Sequence, residues 1–269
     1  MSLEPFRIAA VQTVSGADVA ENLRSIEPLV LDAARLGARL VVLPEYFGVF
    51  GTRASDKVAA READGHGAQQ DFLSRLAREQ RIWLVGGTVP IAIADPQRVR
   101  SALLVYGPDG QRVARYDKVH LFAFHQGEEQ YDEGRTIEAG SEPAVFDAPC
   151  GRVALSVCYD LRFPELYRRF RDLSLIVVPS AFTAVTGAAH WHVLLRARAI
   201  ENQCYVLAAA QGGLHPNRRR TYGHSLIIDP WGTVVAEREE GPGVIVADVD
   251  PERIAQVRRE LPALAHRRL

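Results

Sequence analysis

Leu40-Val41-Val42-Leu43-Pro44-Glu45 is the stretch that decides the architecture. Four apolar residues follow one another without the polar alternation of a half-exposed strand, and proline closes the run. Such a segment reads as a strand buried on both faces. Leu175-Ile176-Val177-Val178 repeats the pattern. Working outward, strand-like runs occupy Arg7–Thr13, Arg39–Pro44, Ile82–Thr88, Ala102–Tyr106, Val113–Lys118, Val153–Cys158, Leu175–Pro179, Cys204–Ala210, Ser225–Asp229 and Val244–Val249. Helical stripes fill the gaps. Ile26, Leu29, Val30 and Ala33 make one that Gly37 ends, with Pro28 implying a late start or a kink. Trp191, Leu194, Leu195 and Ala199 make another, and Ile254, Val257 and Leu261 a third, capped by Asp250 with Pro251 at its first position. Asp109-Gly110 and Trp231-Gly232 sit between strand-like runs as hairpin turns do. The mixture predicts an α/β or α+β layered fold with a mixed sheet or a pair of sheets, whose topology the pattern leaves open.

The 269 residues contain no internal repeat, low-complexity tract or linker, which predicts a single domain over 1–269. At 47% hydrophobic and 24% charged, the chain has the composition of an ordinary soluble protein with a core needing no staple. Its 32 basic and 33 acidic side chains leave a net charge of −1, without the basic excess of a nucleic-acid binder. No apolar run reaches the length of a membrane span, and Met1–Phe6 lacks a signal-peptide pattern. Three cysteines, Cys150, Cys158 and Cys204, are an odd and sparse set that reads as reduced thiols, and hence as a cytoplasmic location.

Three buried strands end on chemistry. Leu40–Pro44 delivers Glu45, Val113–Asp117 delivers Lys118, and Val153–Val157 delivers Cys158 followed by Tyr159-Asp160. Strand ends in layered α/β proteins are where functional groups converge, because the sheet fixes the backbone and the loops leave room for a ligand. Taken singly, each has a plain reading: a solvated glutamate, a surface lysine, a small buried thiol. Their joint occurrence carries the argument.

The motifs Leu43-Pro44-Glu45, Asp117-Lys118-Val119-His120-Leu121-Phe122 and Cys158-Tyr159-Asp160-Leu161-Arg162-Phe163-Pro164-Glu165 resemble the three catalytic motifs of the nitrilase superfamily of carbon–nitrogen hydrolases, in matching order and spacing. The likeness continues through Pro179–Phe182, Thr186-Gly187, His190-Trp191, Arg196–Asn202, Tyr222–Ser225 and Asp229–Gly232, and so spans nearly the whole chain. It implies a four-layer α-β-β-α sandwich with mixed sheets, commonly a homodimer, acting on a small-molecule amide without cofactor or metal. Cys158 would be the nucleophile, attacking as a thiolate whose pKa a neighbouring cation lowers. Glu45 would be the general base, and Lys118 with the Tyr159 N–H would stabilise the oxyanion. No histidine is required. Glu133 falls where the resemblance places an additional catalytic glutamate; the other reading of Gly127–Gly134, with Glu128, Glu129, Asp132 and Glu133, is a solvated acidic loop.

Arg162 is a candidate for a substrate carboxylate, or else pairs with Glu165. Phe182 and Thr186, with Tyr159, are candidate pocket residues, though Phe182 also reads as packing and Thr186 as an N-cap. His190 and His192 are two apart and cannot share a metal as an i,i+4 pair does, no Cys/His spacing suggests zinc, and Gly86-Gly87 matches no phosphate fingerprint. Arg218-Arg219-Arg220 reads as a solvated loop, with gating of an acidic substrate as the alternative. Arg198, on the Trp191 stripe, should pair with Glu201. The tail Pro262–Leu269 either packs across a dimer interface or frays. Within the superfamily the chain most resembles the Nit1-type branch, the deaminated glutathione amidases, which implies cleavage of that substrate to 2-oxoglutarate and cysteinylglycine, a metabolite-repair reaction. An ω-amidase acting on 2-oxoglutaramate, an N-carbamoyl amidohydrolase, and a non-catalytic binding protein on the same scaffold are the alternatives.

Overall fold

Strand β1 (Phe6–Gln12) shows how the layers arise: Ile8 and Ala10 enter one core, Ala9 and Val11 another. Successive side chains of a strand face opposite ways, so an unbroken apolar run needs a packed layer on each side. Strand β2 (Leu40–Val42) divides likewise, Leu40 and Val42 from Val41. The computed structural model describes residues 5–126 and 129–268; Met1–Glu4, Gly127 and Glu128 of the acidic stretch, and Leu269 of the tail lie outside the described residues.

Helix α1 (Val19–Arg35) joins β1 to β2, and a short α2 (Asp56–Ala59) and α3 (Ala68–Gln80) precede β3 (Trp83–Ala92), β4 (Val99–Tyr106) and β5 (Arg112–Asp117). A ribbon, β6 (Ala123–Gln126) and β7 (Glu129–Asp132), leads through a 3-10 turn at Glu133–Arg135 to β8 (Val145–Ala148) and β9 (Gly151–Leu155). A second 3-10 turn, Cys158–Arg162, runs into α4 (Pro164–Arg168), β10 (Leu173–Val177), α5 (Ala184–Asn202) and β11 (Tyr205–Ala208). Ribbon β12 (Gly212–Leu214) and β13 (Arg220–Tyr222), then β14 (Ser225–Ile228), β15 (Val234–Arg238), β16 (Gly243–Val249) and α6 (Pro251–Glu260) complete the order.

Two six-stranded mixed sheets result, ordered β16-β1-β2-β3-β4-β5 and β15-β14-β11-β10-β9-β8. Each has three parallel strands at its centre, β1-β2-β3 and β9-β10-β11, flanked by antiparallel ones. Between the sheets, Ile8, Ala10, Leu40, Val42, Leu103 and Val105 meet the second sheet's apolar strands. Outside the first sheet, Ile26, Val30 and Ala33 of α1 and Phe72, Leu73 and Leu76 of α3 cover Val41, Leu84 and Leu104. Outside the second lie Trp191, Leu195 and Ala199 of α5 and Ile254 of α6. This is the α-β-β-α sandwich that the family resemblance implies.

Pro28 does not bring the late start that was one of the two sequence expectations: α1 begins at Val19 and continues through the proline. Asp18 caps the helix by accepting the Glu21 N–H at 2.8 Å, ten residues before the proline. A helix-interior proline costs about 3 kcal/mol, but fully burying a side chain such as Ile26 or Val30 stabilises by roughly 1.5–3 kcal/mol each. Pro28 is exposed, so the carbonyl it leaves unbonded faces water. Helix α5 is capped by Thr183, not Thr186: the Thr183 hydroxyl accepts the Thr186 N–H, and the two hydroxyls meet at 2.9 Å. Arg198 pairs with Glu201 at 3.0 Å, as expected, and also donates twice to the Leu161 carbonyl. The three cysteines are buried and unbridged. Among the described residues no helix is long and apolar enough to cross a membrane.

Candidate active site

The ends of β2, β5 and β9 converge. Beyond β2, Leu43-Pro44 carries the chain to Glu45, and β3 passes so close that a Cβ on Gly87 would stand 1.8 Å from the Pro44 carbonyl oxygen. Only glycine permits that approach. Beyond β5, the Lys118 N–H donates to the Ser101 carbonyl at 3.0 Å. Beyond β9, Cys158 opens its 3-10 turn with φ of 50°, a region non-glycine residues seldom adopt.

That strained turn is held from three directions. The Cys158 N–H donates to the Pro179 carbonyl at 2.9 Å. The buried Asp160 carboxylate accepts from the Val157 N–H (2.8 Å), the His120 N–H (3.0 Å) and the Tyr116 hydroxyl (2.8 Å), and lies 2.7 Å from His120 Nδ1. One carboxylate therefore locks the nucleophile's turn to the segment carrying Lys118. Arg198, through Leu161, ties the same turn to α5. Sequence reading missed this role; the available signal was an acid two residues past the thiol at the end of an apolar run.

Lys118 is completely buried, and its ammonium lies 2.7 Å from Glu45 Oε1 and 3.0 and 2.8 Å from the two oxygens of Glu133. An unpaired buried ammonium would cost several kcal/mol. Glu133 also accepts from the Tyr46 hydroxyl at 2.5 Å and the Phe122 N–H at 2.7 Å. These partners set the ionisation of the group. Burial favours neutral Lys118, but Glu133 and Glu45 outweigh it and hold the ammonium well above its ordinary range. Burial also favours a neutral Glu133, yet Lys118 and Lys57 hold its carboxyl below the usual range. Glu45 goes the other way: burial pushes it up, Lys118 offsets this only in part, and Glu133 adds to the rise. Two carboxylates share one ammonium, and Glu45 is the one whose proton affinity is raised.

The surroundings of the thiol act on it in both directions. Burial first, then the charge of Glu45, push Cys158 well above the ordinary thiol range, and Lys118 and a backbone hydrogen bond from Ala181 only oppose this. Burial and the neighbouring Glu45 thus favour the neutral thiol over the thiolate, with Lys118 opposing them.

Glu45, Glu133 and Cys158 line a cavity of about 340 Å³, with Phe122, Tyr131, Ala181 and Thr183 among its other walls. That volume suits a small molecule. A larger depression, between α1 and α3, is open to solvent and contains none of the three reactive groups. Tyr159, Arg162, Phe182 and Thr186 stand beside the cavity and not among its lining residues. The Arg162 guanidinium meets His190 Nδ1 at 3.2 Å and lies over the rings of Tyr159 and Phe182, 5.8 and 5.4 Å from their centroids. Phe182 packs on Trp191 at 4.7 Å between ring centroids. Arg219, from the triple-arginine stretch, does line the cavity, as do Arg53 and Lys57, which no sequence motif marks. Away from it, His192 and His224 converge on Glu237 Oε1 at 2.9 and 2.6 Å, the one set of donors among the described residues spaced for a metal ion, and His190 is not part of it.

Comparison with known proteins agrees with this geometry. The carbon–nitrogen hydrolase family model matches residues 7–259. The chain is 42% identical to a deaminated glutathione amidase of Synechocystis, covering 98% of this chain and 99% of that one. It is 40% identical to the deaminated glutathione amidase of Homo sapiens, over 97% of this chain and 82% of the human protein. The crystal structure of Saccharomyces cerevisiae Nit3, a member of branch 10 of the nitrilase superfamily, superposes with a TM-score of 0.88 at 31% identity, covering 99% of this chain and 97% of that one. A buried Glu–Lys–Cys group at the strand ends of an α-β-β-α sandwich, together with these likenesses, shows that this chain is an amidohydrolase belonging to the carbon–nitrogen hydrolase family, within the nitrilase superfamily.

Proposed function

We propose that this chain hydrolyses deaminated glutathione to 2-oxoglutarate and cysteinylglycine, a repair of damaged glutathione, through a thioester on Cys158. The observation that carries the reading is the contact of Lys118 with both carboxylates in a cavity that also holds the thiol. The relatives bearing that activity in their names match the chain over nearly its full length.

The steps follow from the ionisation states. Glu45 takes the thiol proton as the sulfur attacks the amide carbon. The resulting oxyanion is met by Lys118 and the Tyr159 N–H. Collapse expels the amine, which receives its proton from Glu45 and leaves a thioester. Water then gives a proton to Glu45 and its oxygen to the acyl carbon, and the acid departs as the thiol is restored. Glu133 holds Lys118 in place between the two carboxylates. Arg162, beside the wall formed by Ala181 and Thr183, takes the oxo-acid carboxylate, and Phe182 and Thr186 shape that wall. The chain acts as a single cytoplasmic domain, consistent with its unbridged cysteines. It pairs into a homodimer, for which the exposed Val185, Val193 and Ile200 of α5 and the nearby Trp231 supply an apolar face.

The test is product analysis with deaminated glutathione and 2-oxoglutaramate side by side, with Cys158→Ala as control. Release of 2-oxoglutarate from deaminated glutathione by the wild type alone supports the proposal. Preference for 2-oxoglutaramate moves the chain to ω-amidase activity, and turnover of neither overturns the substrate assignment.

A further inference from the structure

Three cations line the catalytic cavity without forming a salt bridge, although the Glu133 carboxylate acts on Lys57 from a distance. Arg53 and Lys57 come from the segment between β2 and α3, and Arg219 from the loop between β12 and β13; all three line the cavity that holds Cys158. Among the described residues none makes an ion pair. The contrast with neighbouring arginines is direct: Arg220, next to Arg219, pairs with Glu240, and Arg112 and Arg115 share Asp64. Asp132, the remaining acid at this mouth, accepts the Gly134 N–H at 3.0 Å.

The cations rest on rings. Lys57 Nζ lies 4.9 Å from the Tyr46 centroid, and the Arg219 guanidinium lies 4.9 Å from that of Phe50 and 4.7 Å from that of Tyr131. Ring faces hold a cation in place without neutralising it, so its hydrogen-bonding and charge capacity stay available to a ligand. Lys57 is half-buried, and burial pushes its ammonium down, with Glu133 opposing. Like charges gathered at a concave site repel one another, and a bound anion relieves that repulsion.

Their position relative to the chemistry is informative. Glu45 protonates the departing nitrogen, so the leaving group lies on the Glu45 side of the scissile carbonyl. Tyr46 follows Glu45 directly, and Lys57 sits on the Tyr46 ring. Arg162 is not among the lining residues and rests instead over the Tyr159 and Phe182 rings.

We propose that Arg53, Lys57 and Arg219 form an anion subsite for a carboxylate on the leaving-group half of the substrate, selecting amides whose departing amine ends in a carboxylate over those that release ammonia or a neutral amine. The inference rests on the reading of this cavity as the deaminated glutathione site, since cysteinylglycine ends in such a carboxylate. Lys57 and Arg219 supply the charge-assisted bonds, and Arg53, more exposed, guides the anion to the mouth.

The experiment compares kcat/KM for deaminated glutathione and for the same compound with its glycine carboxylate converted to the carboxamide. Wild type should favour the acid by about 10- to 100-fold, the usual worth of a hydrogen-bonded charge. In Arg219→Gln and Lys57→Met that preference should fall to about threefold or less, while Arg219→Lys should keep most of it. Equal use of acid and carboxamide by the wild type overturns the subsite and leaves the amidase reading standing; this arm needs no variant and so is immune to misfolding. Retention of the full preference in both neutralising variants overturns it as well. Turnover of neither form removes the substrate assignment, and the subsite with it.

Discussion

Glu133→Gln is the substitution that separates the catalytic arrangement from mere packing. Each Glu133 oxygen accepts two donors: Oε1 from Lys118 and Tyr46, Oε2 from Lys118 and the Phe122 N–H. A glutamine keeps the volume but turns an NH₂ toward one of these pairs whichever way it is flipped. Orphaning one buried donor costs about 1–3 kcal/mol. The loss is limited because the cluster of Glu45, Glu133 and Lys118 goes from an excess negative charge to balance. Catalysis suffers more. Lys118 then keeps one neutral amide oxygen in place of a carboxylate, Glu45 becomes its one charged partner among these residues, the ammonium is drawn toward Glu45, and the acid strength of both groups shifts. Loss of one well-placed oxyanion donor lowers kcat by about 100- to 1,000-fold. The pH profile moves in a defined sense: Glu133 raises the Glu45 carboxyl, so its removal lowers Glu45, and the acidic limb of kcat/KM shifts to lower pH. Steady-state kinetics from pH 4 to 8, with a thermal melt on the same samples, reads all three effects. A variant with wild-type stability, kcat within threefold and an unmoved acidic limb would refute the reasoning, since Glu133 would then be a spectator.

Other predictions come from the supports of the site. Asp160→Asn should lower kcat by about 10- to 100-fold and destabilise by about 1–3 kcal/mol, because an amide cannot accept from Val157, His120 and Tyr116 at once; urea titration and turnover together check this. Gly87→Ala should destabilise by about 3 kcal/mol or more and reduce activity in what remains folded, as its Cβ would overlap the Pro44 carbonyl, and a urea midpoint equal to wild type would contradict the close approach. Tyr46→Phe should reduce kcat by roughly tenfold, since the phenol, kept protonated by burial and by Glu133, donates to Glu133 at 2.5 Å; unchanged kcat would remove Tyr46 from the arrangement. His215 is held below the ordinary imidazole range by burial, bonded to the Ser15 carbonyl and the Thr221 hydroxyl. Its unfolded form binds the proton more readily, so its stabilising contribution is present above about pH 6.5 and is lost as pH falls below it, by up to about 1.4 kcal/mol per unit. His215→Asn should flatten the dependence of the urea midpoint on pH between 5 and 7.

The layers and the reactive trio were legible because both rest on short-range signals. Runs such as Leu40–Leu43 announce strands covered on both faces, and Glu45, Lys118 and Cys158 each break such a run at its end. What escaped were features set by distant partners. Pro28 sits inside α1 because the buried stripe of Ile26 and Val30 outweighs a local penalty, which residue-by-residue propensity does not weigh. The ribbons β6–β7 and β12–β13 lack long apolar alternation, yet the first leads directly into Glu133 and the second carries Arg219 to the cavity. At Cys158 the cation named by the local motifs does act to lower the thiol, while burial and an adjacent carboxylate, supplied by distant segments, outweigh it. Asp160 illustrates the limit of local reading, since its importance lies in joining two segments about forty residues apart.

The most direct test of the account is mass-spectrometric mapping of the enzyme quenched in acid during turnover of deaminated glutathione. A 2-oxoglutaryl group is expected on the peptide containing Cys158 in the wild type, with neither adduct nor turnover in Cys158→Ala. Undiminished turnover by Cys158→Ala, with no acyl group on that peptide in either protein, would contradict it.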